Sequence, residues 1–331
     1  MRTDLKSLSL VELEKIIPGF KAREVFRFIH QHLKEDIAEL TCLSLPERGQ
    51  LAEKYFISRL DPQNTLTENE AQKVAFKLED GKSVETVSLK DKEGRVTLCV
   101  SSQVGCPIGC LFCATGKMGF KRNLTIAEIL SQVYHFAKSE KVSNIVFMGM
   151  GEPFLNFDNV ITAARILNHP LGQNLAARKI TISTIGILPG IKKLAEVAEQ
   201  FRLAWSVVAP NDGTRGELIP SKYNEPLSKI IAALKDYQKT TKRRITIEYV
   251  VLGGINDSDK DISEIVKISK QLDSHVNLIA YNPVEGLPYK EGNIKLMFIT
   301  LRKAGVNATI RRSMGRKIQA ACGQLAGRSE A

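Results

Sequence analysis

Cys106–Cys113 reads CPIGCLFC and places three cysteines within eight residues, in the spacing C-x3-C-x2-C. A loop of this length can turn all three sulfur atoms towards one centre. A structural zinc site takes four protein ligands, and an iron–sulfur cluster held only by protein takes four cysteines. Three thiolates are enough when one iron of a [4Fe–4S] cluster is left open for a small molecule. The stretch therefore predicts a metal centre with one open position.

The same cysteines also fit two alternatives, which stay open at this point. A zinc ion with Cys99 or a distant histidine as its fourth ligand fits the spacing, and so do buried structural cysteines. A disulfide framework is disfavoured because Cys42 and Cys322 stand far along the chain from the other cysteines. Clustered thiols in a chain of this size are more typical of metal ligands in a reducing compartment.

Length and composition set the class of protein. The chain has 331 residues, of which 43% are hydrophobic, and this suffices for an α/β barrel. The polar N-terminus lacks the apolar region of a signal peptide, and no apolar run approaches the roughly 18 residues of a membrane helix. These features predict a soluble, cytoplasmic protein without a membrane segment.

The formal net charge of +11 favours a phosphate-rich partner. A generally basic, solvated surface accounts for the same charge, so nucleic-acid binding and this alternative both stay open. Basic residues recur at Lys117, Lys121, Arg122, Lys242, Arg243, Arg244, Arg311, Arg312, Arg316 and Lys317.

Residues before the cysteine loop predict two smaller parts. Apolar residues at helical spacing, as in Val25–Leu33, predict a helical domain over 1–65 that either packs as an extra lobe or grips RNA. Alternating patterns over 73–78 and 84–89 then predict a β-hairpin within an extension over 66–95.

From Val96 onwards, strands alternate with helices. Crossover helices between strands imply a parallel sheet, and about six such units predict a full or partial β/α barrel with its core over 96–305 and a C-terminal strand and tail over 306–331. Strands are predicted near 96–101, 144–148, 179–184, 203–208, 244–251, 276–281 and 306–311, and helices near 125–139, 157–167, 191–197, 227–238, 261–271 and 294–303.

The segment Met148–Pro153, MGMGEP, follows one of these strands. Its two glycines let a ligand approach the backbone, and Glu152 offers an acceptor for an ammonium group. A plain tight turn is the alternative. In such barrels the chemistry sits at the C-terminal ends of the strands, where both this segment and the cysteine loop fall.

The cysteine triplet, with Phe112 before its last cysteine, resembles the radical S-adenosylmethionine (SAM) superfamily. In that superfamily three thiolates hold a [4Fe–4S] cluster, and SAM chelates the open iron through its amino and carboxylate groups. The resemblance implies an α/β fold with a partial (β/α)6 barrel. It also makes the Glu152 segment similar to the loop that binds the SAM amino group.

Four motifs together resemble the RlmN/Cfr family of RNA methyltransferases, over nearly the whole chain. They are Cys99–Cys106, Phe112–Gly116, Met148–Pro153 and Ala320–Gly327. This family methylates adenine at carbon 2 (RlmN type) or carbon 8 (Cfr type). Proline after Glu152 favours the RlmN type, since Cfr-type members tend to have alanine there.

The resemblance assigns roles to individual residues. The cluster ligands are Cys106, Cys110 and Cys113. The SAM site comprises Gly151, Glu152, Ser183, Ser206, Val207, Val208 and Asn282. The catalytic residues are Cys322, which becomes S-methylated, Cys99, which forms a transient disulfide with it, and Glu85, which accepts a proton. Many RlmN-type proteins have histidine at the place of Val208, so a side-chain contact to SAM is lost there while a backbone contact survives.

The implied reaction is indirect because an adenine ring carbon is not a nucleophile. One SAM methylates Cys322, and a second, cleaved to a 5′-deoxyadenosyl radical, activates that methyl group for addition to adenine. Proton loss and attack by the Cys99 thiolate then release the product. The resemblance thus implies two SAM molecules per turnover, an electron donor such as flavodoxin or ferredoxin, a monomer, and convergence of Cys99 and Cys322 on the barrel mouth.

The expected substrate is 23S rRNA methylated at carbon 2 of an adenine, with tRNA as a second candidate. Methylation at carbon 8, or a paralogue that acts on another RNA, is the first alternative. A non-enzymatic RNA-binding protein with a structural metal is the second.

Overall fold

The computed structural model describes residues 2–327, so the last four residues of the predicted tail lie outside the described residues. The N-terminal part is helical, as predicted, with one small parallel strand pair. Its elements are β1 (Thr3–Asp4), α1 (Leu10–Leu13), α2 (Gly19–His30), α3 (Leu45–Lys54) and β2 (Tyr55–Phe56).

Three antiparallel strands follow, β3 (Asp61–Glu68), β4 (Ala71–Lys77) and β5 (Ser83–Lys90). The predicted hairpin is present as β4 and β5. The strand β3 was not predicted, and it begins inside the segment expected to be helical. Its side chains are mostly exposed, so it lacks an apolar alternation, and backbone pairing with β4 holds it in place.

The later strands form the barrel wall. β6 and β9–β14 run parallel in one ten-stranded sheet, in the order β14-β13-β12-β11-β10-β9-β6-β5-β4-β3. The sheet has β14 and β3 as its two edges, so it forms an open, partial barrel as predicted. The strands of the wall are β6 (Val96–Cys99), β9 (Val142–Phe147), β10 (Ile180–Thr184), β11 (Arg202–Ser206), β12 (Ile245–Val251), β13 (Ser274–Ala280) and β14 (Ala308–Arg311). Two short strands, β7 (Gln103–Val104) and β8 (Arg122–Asn123), pair with each other in a separate antiparallel sheet.

Helices connect the parallel strands. Local sequence explains where several begin: the capping box of Thr125 and Glu128 opens α5, and Ser258 with Asp261 opens α10 in the same way. The helix α8 was not predicted. The helices are α4 (Ala114–Lys117), α5 (Ile126–Ala137), α6 (Phe157–Asn168), α7 (Leu188–Glu196), α8 (Asp212–Leu218), α9 (Leu227–Thr241), α10 (Asp259–Gln271) and α11 (Ile294–Lys303).

The helix α5 joins the N-terminal part to the barrel. Buried Lys6 donates from Nζ to Ser131 Oγ at 2.8 Å, and buried His30 shares a 2.6 Å hydrogen bond between Nδ1 and the Tyr134 hydroxyl. Both partners lie on α5. Among residues 2–327, none of the helices combines the length and apolar character that a membrane crossing needs.

Candidate active site

The cysteine loop follows β7 and contacts the C-terminal end of α8 through its backbone. Leu111 N donates to Leu218 O at 3.0 Å. Gly105, just before the first cysteine, has φ of 71°, and a Cβ there would lie 1.7 Å from the carbonyl oxygen of Gly119. Glycine is therefore required where the chain turns into the loop.

The three loop cysteines line one cavity of about 950 Å³ that opens to solvent. The same cavity is lined by Gly151 and Glu152 from the end of β9, and by Ser183, Ser206 and Val208 from the ends of β10 and β11. A concave cavity at the carboxyl ends of barrel strands is a typical place for a small-molecule ligand. The structure thus brings the predicted cluster ligands together with most of the residues predicted for SAM.

The electrostatics of the thiols fit a metal cluster. Burial raises the pKa of Cys106 to about 12 and that of Cys110 well above its usual range, and the Cys113 and Cys106 thiolates raise the Cys110 pKa further. Buried thiolates this close together need positive charge, which bound metal supplies while it displaces their protons.

Within residues 2–327, no group of three or more His, Cys, Asp or Glu side chains is arranged to hold a metal ion. A [4Fe–4S] cluster takes each cysteine on a different iron, so its sulfur ligands stand further apart than those around one ion. The cavity shared by the three cysteines is therefore the feature that fits a cluster.

Glu152 and Tyr281 offer polar groups to a ligand in this cavity. The Glu152 carboxylate accepts hydrogen bonds from Phe154 N and Ile185 N, both at 3.0 Å, and burial raises its pKa to about 7. The hydroxyl of Tyr281 is buried without a hydrogen-bond partner among the described residues. A ligand with an ammonium group and further polar atoms, such as SAM, would complement both.

Val207 and Val208 differ in placement. Val208 lines the cavity with φ of 66°, an unusual conformation for a β-branched residue, and its carbonyl accepts a 2.7 Å hydrogen bond from Asn256 Nδ2. Val207 is fully buried in the hydrophobic core and does not line the cavity. Val208 thus lines the cavity in an unusual backbone conformation, and its side chain offers no hydrogen-bond donor.

A second cavity, of about 640 Å³, adjoins the first and contains both lone cysteines. Cys99 ends β6, whereas Cys322 lies in the C-terminal tail, more than 200 residues away in the sequence. Cys322 and Cys113 line both cavities. The convergence predicted for Cys99 and Cys322 is therefore observed, next to a cluster cysteine.

Arg311 places a cation beside this cysteine pair. It ends β14, and its Nη1 lies 3.2 Å from Met148 Sδ. The Cys322 thiolate raises the pKa of Arg311. Burial and the Cys322 charge raise the pKa of Cys99 to about 12, while Arg311 opposes this shift. The guanidinium thus favours the thiolate form that sulfur chemistry requires.

Asn282 contacts the tail instead of the larger cavity. Its Nδ2 donates to Cys322 O at 3.1 Å, and its Oδ1 accepts from Arg316 Nε at 2.8 Å. It lines the cavity of the two lone cysteines. Asn282 therefore fixes the backbone of Cys322 in this conformation.

Glu85 lies apart from both cavities, in a third of about 540 Å³ that Lys73 and Lys317 also line. The Glu85 side chain is buried and pairs with Lys73 Nζ at 2.9 Å. Its other oxygen accepts hydrogen bonds from Ala326 N at 2.8 Å and Gly327 N at 3.1 Å. The tail thus links Glu85 to the neighbourhood of Cys322, although the two residues share no cavity.

Several of the basic residues form ion pairs with acidic residues of the same protein. Arg122 pairs with Asp80 and Glu128, each at 2.8 Å, and Arg316 pairs with Glu291 at 3.1 Å. The side chains of Lys117, Lys121, Arg312 and Lys317 are exposed. Of these, Arg312 lines the cavity of Cys99 and Cys322, so positive charge remains at its rim.

The sequence did not reveal Lys73, Arg311, Glu248 or Tyr281 as site residues. Glu248 lines the larger cavity, where burial raises its pKa and Asn277 Nδ2 donates to it at 2.9 Å. The sequence feature that could have revealed Glu248 is that it stands as a lone acidic residue inside the apolar strand β12. Arg311 was noted only as part of a basic cluster, and strand ends were the feature that could have singled it out.

Comparison with known proteins identifies the family. Residues 100–266 match the Radical SAM superfamily. A protein of Pelobacter propionicus, "Dual-specificity RNA methyltransferase RlmN", is 38% identical and aligns over 100% of this chain and 97% of its own. "Ribosomal RNA large subunit methyltransferase N" of Nitrosopumilus maritimus is 40% identical over 98% of each chain.

A solved structure shows the same fold. The crystal structure of a radical SAM methyltransferase from Sphaerobacter thermophilus superposes with a TM-score of 0.92 at 39% identity, covering 98% of this chain and 100% of its own. This likeness confirms the predicted radical SAM partial barrel, with its helical N-terminal part and hairpin extension. The protein is therefore a radical SAM enzyme of the RlmN family of RNA methyltransferases.

Proposed function

We propose that this protein methylates carbon 2 of an adenine in 23S rRNA, with tRNA as a second substrate, through an S-methylated Cys322 and a transient Cys99–Cys322 disulfide. The observation that carries the proposal is the cavity shared by Cys99, Cys322 and Cys113. Two lone thiols beside a cluster ligand are what an indirect methyl transfer needs. The names of the relatives support RNA as the substrate.

Cys106, Cys110 and Cys113 would hold a [4Fe–4S] cluster, and Glu152, Gly151, Ser183, Ser206 and Val208 would line the SAM site. When bound there, the cluster and SAM would supply the radical chemistry that activates the S-methyl group of Cys322. Glu152 would present its carboxylate to the SAM ammonium group. Burial raises the pKa of this carboxyl and so disfavours its ionised form, which the charge of a nearby ammonium group would favour. Glycine is required at Gly151, because its φ is 100° and a Cβ there would lie 2.6 Å from Gln103 Cβ.

Cys322 and Cys99 act one after the other, and both steps take place at the sulfur atom of Cys322. Cys322 accepts a methyl group from a first SAM molecule, and a second SAM molecule serves the radical step, so two are used per turnover. After the methyl carbon has bonded to adenine, the Cys99 thiolate attacks Cys322 Sγ and the sulfur–carbon bond breaks. The carbon keeps the bonding electron pair and takes up a proton, which completes the methyl group on the base. Arg311 favours the thiolate of Cys99.

Glu85 is the proposed acceptor of the proton that leaves the adenine carbon. It is a buried carboxylate whose second oxygen is hydrogen-bonded to the tail backbone at Ala326 and Gly327. The tail that carries Cys322 must therefore release Glu85 when adenine enters. Exposed Arg312 and Lys317, which lie beside the tail, would then bind RNA phosphates.

Carbon 2 is favoured over carbon 8 by Pro153 after Glu152, the feature that resembles the RlmN type. The reaction also needs a low-potential electron donor, such as flavodoxin or ferredoxin, to start the radical step and to reduce the disulfide. We place the protein in the cytoplasm, where such donors and RNA are both present.

The test is nucleoside mass spectrometry after anaerobic reconstitution with iron, sulfide, SAM and reductant. RNA lacking the modification should gain 2-methyladenosine. The Cys99→Ala variant should accumulate a covalent protein–RNA adduct through Cys322, whereas Cys42→Ala, which alters a cysteine outside all three cavities, should turn over normally. Appearance of 8-methyladenosine would overturn the carbon 2 assignment, and absence of any methyladenosine would overturn the proposed function.

A further inference from the structure

We propose that Lys73 is a positioning residue for Glu85. Lys73 holds one carboxylate oxygen of Glu85, so that the other oxygen is left free to accept the proton from adenine. This inference rests on the proposed function and adds a residue that the reaction requires. Its basis is the contact geometry of the two Glu85 oxygens.

Lys73 and Glu85 stand on adjacent antiparallel strands. Ala75 of β4 is opposite Glu85 of β5, so Lys73 is the diagonal neighbour, two residues along the same face. Lys73 Nζ lies 2.9 Å from Glu85 Oε1, and the side chains are 9% and 1% exposed, respectively. A charge this deeply buried must be paired, and among the described residues this is the ion pair that Glu85 makes.

The two carboxylate oxygens have different kinds of partner. Oε1 contacts Lys73, which belongs to the sheet. Oε2 accepts from Ala326 N and Gly327 N, which belong to a tail without helix or strand. Segments held only by a few hydrogen bonds open far more readily than a sheet. When the tail withdraws, Oε2 loses its partners while Oε1 keeps Lys73.

The Glu85 backbone is fixed independently of Lys73. Its carbonyl accepts a 2.6 Å hydrogen bond from Ser101 Oγ, and its amide approaches Met150 Sδ at 3.4 Å. Only the side-chain torsions remain to be set, and Lys73 sets them. A carboxylate with one oxygen held presents the other at a defined point, as a general base requires.

The step itself moves one proton. The carbon–hydrogen bond of the substituted adenine carbon breaks, its electron pair stays in the ring, and the proton goes to Glu85 Oε2. The one unpaired electron left by radical addition passes back to the low-potential electron carrier, and with both losses the ring regains its aromaticity. Lys73 stays protonated and does not exchange a proton with the substrate. Its contribution is to keep Oε2 aimed at that hydrogen, and a misplacement of about 1 Å costs on the order of 100-fold in rate.

The experiment compares Lys73→Met, Lys73→Arg and Lys77→Met in the reconstituted full-length protein. Lys77 is the matched control, an exposed lysine on the same strand. Two quantities are measured: S-methylation of Cys322, which precedes the proton transfer, and the kcat and KM for methyladenosine formation. We expect Lys73→Met to lose about 100-fold in kcat with Cys322 still methylated and KM for RNA nearly unchanged. Lys73→Arg should recover most of the rate, and Lys77→Met should match wild type.

A double variant separates positioning from a merely structural role. In the Glu85→Gln background, Lys73→Met should cause no further loss, because the group it positions is already gone. The inference is overturned if the two losses multiply, if Lys73→Met keeps the wild-type kcat, or if it also abolishes Cys322 methylation. A wild-type protein that makes no methyladenosine at all would instead overturn the proposed function.

Discussion

The two cysteines of the proposed reaction are held in different ways. Cys99 ends β6, a strand bonded on both sides, opposite Val87 of β5 and Val146 of β9. Cys322 lies in the tail segment Ala320–Gly327, which has no helix or strand. One half of the site is therefore held by strands and the other by a tail.

Single hydrogen bonds fasten the tail. Thr115 Oγ1 donates to Leu325 O at 2.6 Å, Ala114 N donates to Gly323 O at 2.8 Å, and Asn282 Nδ2 donates to Cys322 O. This difference matches the proposed tasks. In the proposed reaction Cys322 contacts SAM, adenine and Cys99 one after the other, whereas Cys99 and Glu85 each act from one fixed position.

The strand-held half should lose the most stability when its brace is removed. Buried Gln132 of α5 accepts from Thr86 Oγ1 at 2.7 Å and from Ser101 N at 2.9 Å, and donates to Ser101 O at 3.1 Å. Gln132→Leu leaves these buried groups without partners, so we expect the free energy of unfolding in urea to fall by about 2–4 kcal/mol.

Gln238→Leu is the control for this prediction. Gln238 makes one hydrogen bond at the protein surface, from Nε2 to Asp273 O, and its loss should change the free energy of unfolding by less than about 0.5 kcal/mol. Equal losses in the two variants would show that Gln132 does not brace the strands that carry Cys99 and Glu85.

A smaller and purely local effect is expected in the tail. Thr115→Val keeps the side-chain shape but leaves the buried Leu325 carbonyl unpaired, at a cost of about 1–2 kcal/mol. Hydrogen exchange of the Ala326 and Gly327 amides should accelerate about tenfold, while global unfolding stays nearly unchanged.

Thr241→Val is the matched control, because Thr241 Oγ1 also donates to a backbone carbonyl, that of Tyr237 in α9. It should leave tail exchange at the wild-type rate. If Thr115→Val shifts global unfolding as much as Gln132→Leu does, the tail is not a separately movable element.

Acid should weaken the contact between α2 and α5, the helix that braces the strands, without affecting the tail. This is the smallest of the expected effects. Burial lowers the pKa of His30 to about 3, so the native state binds fewer protons than the unfolded state between that value and pH 6.5. The stabilisation from neutral His30 is complete above pH 6.5 and is lost as pH falls towards 3.

Between pH 6.5 and 5.5, His30 should thus lower the free energy of unfolding by about 1 kcal/mol. His30→Asn should flatten this pH dependence in urea titrations, and His32→Asn, at an exposed position on the same side, should preserve it. If hydrogen exchange of the tail amides changed over the same pH range in the wild type but not in His30→Asn, the tail would not be independent of the rest of the protein.

The sequence predicted those features whose signal is local. The barrel strands are apolar runs between capped helices, and the capping box at Thr125 marks the start of α5. The cysteine loop and the segment ending at Pro153 carry their chemistry within a few residues. The convergence of Cys99 and Cys322 followed only from the family resemblance, since no local pattern relates two cysteines so far apart.

Features that depend on tertiary contacts were missed. Lys73 is an ordinary strand residue until the β4–β5 register sets it beside Glu85. Arg311 belongs to a basic run, and only burial beside two thiols distinguishes it. Val207 was placed in the SAM site by its motif, yet it packs into the core while Val208, in an unusual backbone conformation, faces the cavity.

The most direct test of the proposed sulfur chemistry is peptide mapping of the protein after a single turnover, with reduced thiols alkylated anaerobically. We predict one Cys99–Cys322 disulfide for each methyladenosine formed, with Cys42 alkylated throughout. Methyladenosine formed at the same yield while Cys99 and Cys322 both remain alkylated as free thiols would contradict this mechanism.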